Sequence, residues 1–153
     1  MRMLKVLGVT MLVAVLAAGL VVAKSDSDSV KVNASFSIPS WISLSVVGNG
    51  DVSFGEIAGG GGYAGDNETK LQVLSTTSWS LSSAILWSES KMPAGASQSI
   101  IEGALELTMS AEGGTWGFHT VSVKYEMNVV EEDLAELPVG DYKLVIQYTA
   151  TTD

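Results

Sequence analysis

The sequence predicts an all-β fold, an antiparallel β-sandwich of the Ig-like or jelly-roll-like kind behind an N-terminal signal helix. Three observations carry that expectation. Polarity alternates with a period of two along most of the chain after Ala23, as it does in strands with one buried face. Clusters of Gly, Asn, Asp and Pro cut the alternation into roughly eight or nine short pieces. Outside the leader, the one helical signal is a short turn at Glu131–Leu137, where Glu131, Glu132 and Asp133 suit a helix N-terminus.

Met1–Ala23 reads as a secretory signal peptide. Arg2 and Lys5 form the basic start, Val6–Val22 is an apolar run of 17 residues, and Val21-Val22-Ala23 offers small residues for cleavage before Lys24. Two other readings use the same residues. The run is only slightly short for a retained spanning anchor. It also resembles a type IV pilin leader cut just before the apolar run, although the Gly expected ahead of such a cut is absent after Lys5. Export divides the chain into leader 1–23, an N-terminal extension 24–38 and a β-domain 39–153.

Cleavage after Ala23 removes two basic charges and takes the net charge from −9 to −11. So acidic a chain repels nucleic acid and anionic surfaces, because polyanion binding needs clustered Lys and Arg. The expected location is extracellular or at the cell surface, with membrane contact only during export. With no cysteine, thiol catalysis, disulfides and Cys-ligated metals are excluded. An exported domain of this size must then be stabilised by its core. Asn33-Ala34-Ser35 and Asn67-Glu68-Thr69 are glycosylation sequons, which makes Asn33 and Asn67 candidate modification sites.

The extension is two-faced. From residue 30 its even positions are Val30, Val32, Ala34, Phe36 and Ile38, and its odd positions are Lys31, Asn33, Ser35 and Ser37. An extended strand of this kind presses five side chains into a groove while its reverse stays wet. Burying them contributes about 8 kcal/mol gross, and ordering nine backbones costs a comparable amount. Backbone hydrogen bonds to a sheet edge must tip the balance. Pro39-Ser40 follows, and this pair cannot supply the positive-φ residues of a tight hairpin. The ribbon therefore either crosses to the other sheet of its own domain or leaves to complete the sheet of another copy.

Later strands follow the same parity. Ile42, Leu44 and Val46 precede the turn Gly48-Asn49-Gly50-Asp51, and Val52 and Phe54 follow it. Gly59–Gly62 reads as a flexible loop. Leu71, Val73, Trp79 and Leu81 share one parity across Lys70–Ser82. Ile101–Ala111 continues as a strand in which Gly103 marks a gap or bulge. Val121–Val129 alternates without interruption, and Tyr142–Ala150 behaves alike. A groove that accepts the ribbon is expected on one of these last two faces, and parity does not choose between them.

Several stretches resemble secreted fibre subunits: Ile42–Val46 with Val52-Ser53-Phe54-Gly55, Ser75–Ser82, and Leu137-Pro138-Val139-Gly140-Asp141-Tyr142 ahead of the last strand. The pattern is similar to fimbrial and spore-coat-type sandwiches and to the donor-strand-linked subunits of archaeal bundling pili and bacterial biofilm-matrix fibres. That resemblance implies a structural subunit of an extracellular filament or pilus. It makes Val30, Val32, Ala34, Phe36 and Ile38 the donor strand and another copy of the chain the partner. The chain departs from the disulfide-bearing members in having no Cys.

Other functions find less support. His119 is the only imidazole, no Gly-x-Ser-x-Gly elbow is present, and Glu102 with Glu106 or Glu131 with Glu132 read as ordinary solvated charges on a small sandwich that offers little cleft. No enzymatic activity and no cofactor are expected. Calcium is the metal that the oxygen-rich segments would suit, with Asp26 and Asp28 as weak ligand candidates and Glu131–Asp133 as a second acidic group. Trp79 shares the parity of buried residues and Trp87 lies in an apolar run. Trp41 and Trp116 flank turns, and two exposed indoles would suit the alternative of a monomeric adhesin or carbohydrate-binding module that meets surface glycans or neighbouring cells.

Overall fold

The structure, a computed structural model, describes residues 29–153. The leader, Asp26 and Asp28 lie outside the described residues. The chain divides at Phe36–Ser37. Of the first unit, residues 29–36 are described; they join no ladder and are exposed throughout.

The second unit, Ser37–Asp153, is mostly β, and all of its strand pairs are antiparallel. In chain order its elements are β1 (Ile42–Val47), β2 (Gly61–Ala64), β3 (Thr69–Ser75), β4 (Trp79–Ile85), α1 (Gln98–Ala104), β5 (Leu105–Met109), β6 (Gly113–Gly114), β7 (Gly117–Val129), α2 (Glu131–Glu136) and β8 (Ile146–Thr152). One sheet runs β1-β3-β7, with β2 continuing the β3 side of β7 and β5 on its opposite edge. The other runs β6-β4-β8.

Strand β7 is the spine. Its inward residues Val121, Val123, Tyr125, Met127 and Val129 are all buried, as their alternation requires. Leu71 and Val73 of β3 meet Trp79 and Leu81 of β4 across the same core cluster. The four share a parity because the chain keeps its phase through Thr76–Ser78 while it passes from one sheet to the other. Gly114 pairs with Trp79, and a Cβ there would come within 2.9 Å of the buried indole. Only glycine lets the ring lie against that strand.

Three local expectations give way. Ile101 belongs to α1, where Ile101 and Ala104, three apart, turn one helical face inward; strand alternation starts only at Leu105. Gly61–Ala64 is a strand, paired with Val129–Glu126 of β7. The glycines signal a loop, but the edge of β7 carries backbone groups that need partners, and bare Gly62 leaves room for the side chains of Glu126 and Asn128. Val52 and Phe54 join no strand, yet both pack on the core.

Gly103 faces open space in α1. Gly103→Ala is therefore expected to raise stability by about 0.5–1 kcal/mol, read as a higher urea midpoint.

The spine outreaches the strands of the other sheet. β7 has 13 residues, whereas β4 and β8 have 7 each. Beyond the short sheet, Met127 and Val129 pack on Ala104 of α1, Leu134 of α2, Leu144, and Phe54 and Ile57 of the 52–57 segment.

Candidate functional site

At this overhang the core opens into a groove of about 1160 Å³. Tyr125, Met127 and Val129 of β7 line it together with Thr69 of β3. Ile101 and Ala104 come from α1, Leu134 from α2, and Val52, Phe54 and Ile57 from the segment after β1. Tyr142, Leu144, Ile146 and Tyr148 complete the lining along β8 and its approach. Both strand faces named from sequence thus contribute, because the spine and β8 face each other across the opening.

A polar relay crosses this apolar surface. The Tyr125 hydroxyl donates to Thr69 Oγ1 at 2.7 Å, and the Tyr148 hydroxyl lies 2.5 Å from that of Tyr125. Each phenol has one proton, so Tyr148 donates to Tyr125. Burial, then the hydrogen bond to Tyr125 and the charge Tyr125 would carry, hold the Tyr148 phenol far above its usual 10.0. A raised phenol favours the folded state fully below the unfolded value near 10 and loses that contribution as pH climbs toward the folded value. Stability is therefore expected to fall above about pH 10. Tyr148→Phe should make that fall shallower in alkaline thermal melts.

The sequence-derived ribbon is exposed. Val30, Val32, Phe36 and Ile38 are 86%, 82%, 87% and 68% accessible, and Ala34 is exposed too. Such a row of bare apolar side chains is uncommon unless a partner covers it. The chain then enters the domain through a clamp: Thr76 Oγ1 accepts from Trp41 N–H at 2.9 Å and donates to the Pro39 carbonyl at 3.1 Å. Ile42 pairs with Ser75, and Ser75 with Gly117, so the clamp sits at the pole where β7 begins. The groove lies where β7 ends.

No family model, curated protein or solved structure matches this chain. The site therefore rests on its own geometry.

The remaining sequence candidates are dispersed. Asn33 and Asn67 are exposed, but Thr69 of the second sequon is buried and bonded to Tyr125. Glu131 accepts from Gly60 N–H at 3.2 Å, and with Glu132 and Asp133 it forms the first turn of α2. Among the described residues no group of three His, Asp or Glu side chains could hold a metal ion. His119 stacks at a tilt on Trp79, ring centroids 5.4 Å apart, with Nε2 3.0 Å from the Thr115 carbonyl. Trp79 is buried, whereas Trp41 and Trp116 are exposed. α2 lies where Glu131, Glu132 and Asp133 signal a short helical turn, whereas neither the groove nor α1 is signalled by any local sequence pattern.

Proposed function

We propose that the chain is an exported, non-catalytic subunit of an extracellular filament, an Ig-like or jelly-roll-like sandwich that lacks one strand and receives it from another copy. Met1–Ala23 is the export signal, and residues 24–38 are the donated extension. The observation that carries this reading is the pairing of an open core groove with an exposed ribbon of five alternating apolar residues. Strand addition uses this combination: backbone bonds supply affinity and alternate side chains supply fit. The clamp and the groove at opposite poles make the contact head-to-tail, and such a contact extends into a fibre when it does not close.

The test is removal of residues 24–38 from the mature protein. The truncated chain should remain monomeric under conditions in which the intact mature chain forms fibres visible by electron microscopy. Fibres from the truncated chain would sink the proposal.

An adhesin reading draws on one observation, the exposure of Trp116 (75%) beside Phe118 (60%). Indoles and phenyl rings stack on sugar faces. Glycan-array binding by a monomeric mature protein would favour that reading over assembly.

A further inference from the structure

We propose that the backbone edge of β8, from Leu144 to Ala150, is where the ribbon of the neighbouring copy forms its hydrogen bonds; this rests on the filament reading and specifies how its site is filled.

Three edge strands border the region: β1 and β5 of one sheet and β8 of the other. The hydrogen bonds of β8 and its approach reveal which way its backbone points. Lys143 exchanges both of its backbone bonds with Lys91 at 2.8 Å. The Val145 carbonyl accepts from Leu86 N–H at 2.7 Å, and its N–H donates to Ser90 Oγ at 3.0 Å. At the far end, Asp153 N–H donates to the Ser78 carbonyl at 3.0 Å. Odd-numbered groups therefore face β4 and the chain that continues from it. By the alternation of an antiparallel ladder, the N–H and C=O of Leu144, Ile146, Tyr148 and Ala150 face the other way. Among the described residues β8 has no second hydrogen-bonded strand, although β1 of the other sheet passes close to it. Each of these groups is a donor or acceptor awaiting a partner.

The edge also lacks the usual protection. Ile146–Thr152 reads Ile-Gln-Tyr-Thr-Ala-Thr-Thr, with no charge and no proline to deter pairing. Leu144, Ile146 and Tyr148 line the groove with their side chains. A strand bonded to their backbones would thus bring its own inward side chains over the open core. β1 and β5 fit less well, because each brings a single residue to the lining, Val46 and Leu105. The occupant is a second copy's residues 30–38: the ribbon is uncharged but for Lys31, its inward face is wholly apolar, and at about 3.3 Å per residue it spans the Leu144–Ala150 edge.

The absence of cysteine makes the test clean. Asn33→Cys or Ser35→Cys, on the wet face of the ribbon, is combined in turn with Gln147→Cys or Thr149→Cys on the exposed face of β8, and separately with Ser43→Cys or Ser45→Cys on β1. Assembled mature protein is oxidised and run on a denaturing, non-reducing gel. The expected result is a ladder of covalent multimers through a β8 pair, lost on reduction and at least tenfold weaker through β1 pairs. A ladder through β1 alone overturns the edge assignment and leaves the filament reading standing. Cross-links confined to single chains, or no fibres from the unsubstituted mature protein, overturn both. Should the cysteine variants fail to assemble, amide exchange on the unsubstituted protein decides. Assembly should slow the Leu144, Ile146, Tyr148 and Ala150 amides at least tenfold, and unchanged exchange at these amides in fibres overturns the assignment.

Discussion

Phe36→Asp is expected to leave the mature protein monomeric. Phe36 is the largest of the five inward side chains of the ribbon and is 87% exposed in the single chain, so the substitution removes no contact that the monomer depends on. In the groove it forfeits about 1.5–3 kcal/mol of burial. It also forces a carboxylate into an apolar site, at a cost of several kcal/mol or of neutralisation. A combined loss of roughly 4 kcal/mol or more weakens each joint about a thousandfold. Sedimentation velocity and electron microscopy read the outcome directly. Phe36→Leu, which keeps most of the apolar volume, should still assemble. Fibres formed by the Asp variant at the concentration the unsubstituted chain requires would remove Phe36 from the interface.

A complementary result is expected when the donor is supplied as a separate molecule. A domain lacking residues 24–38, mixed with a peptide of residues 29–38, should gain about 2.7 kcal/mol when free peptide reaches one hundred times its dissociation constant. For a domain of this size that corresponds to a rise in melting temperature on the order of 10 °C. The same peptide carrying Phe36→Asp should produce no comparable rise. The gain follows because the peptide binds a groove that exists only in the folded state. A melting temperature indifferent to saturating peptide would mean that the groove does not accept this ribbon.

Much of the architecture is legible because one face of each long strand is buried. The unbroken alternation of Val121–Val129 translates directly into the inward face of β7, and the parity shared by Leu71, Val73, Trp79 and Leu81 separates buried Trp79 from exposed Trp116. Short elements escape such reading. Ile101 and Ala104 satisfy helical spacing, but seven residues are too few to tell that spacing from a strand with a gap. The glycines of β2 have no side chains to alternate, and what makes them a strand is the edge of β7 more than sixty residues away.

The groove is harder still to foresee. Its lining comes from β1, β3, β5, β7, β8, both helices and the 52–57 segment, which lie far apart along the chain. Parity records which face is inward. It does not record where the core is left open. The ribbon is the reverse case, since its two faces are fully written in residues 30–38 while its partner is not.

The clamp at Thr76 and the groove stand at opposite poles of the domain, and any fibre joined through them inherits a direction. Its two tips are chemically unlike. One ends in a vacant cleft that can receive a newcomer; the other ends in a bare apolar tail that can only be received. Growth at the two tips can then proceed at different rates, and a molecule that blocks one of them need not resemble a molecule that blocks the other.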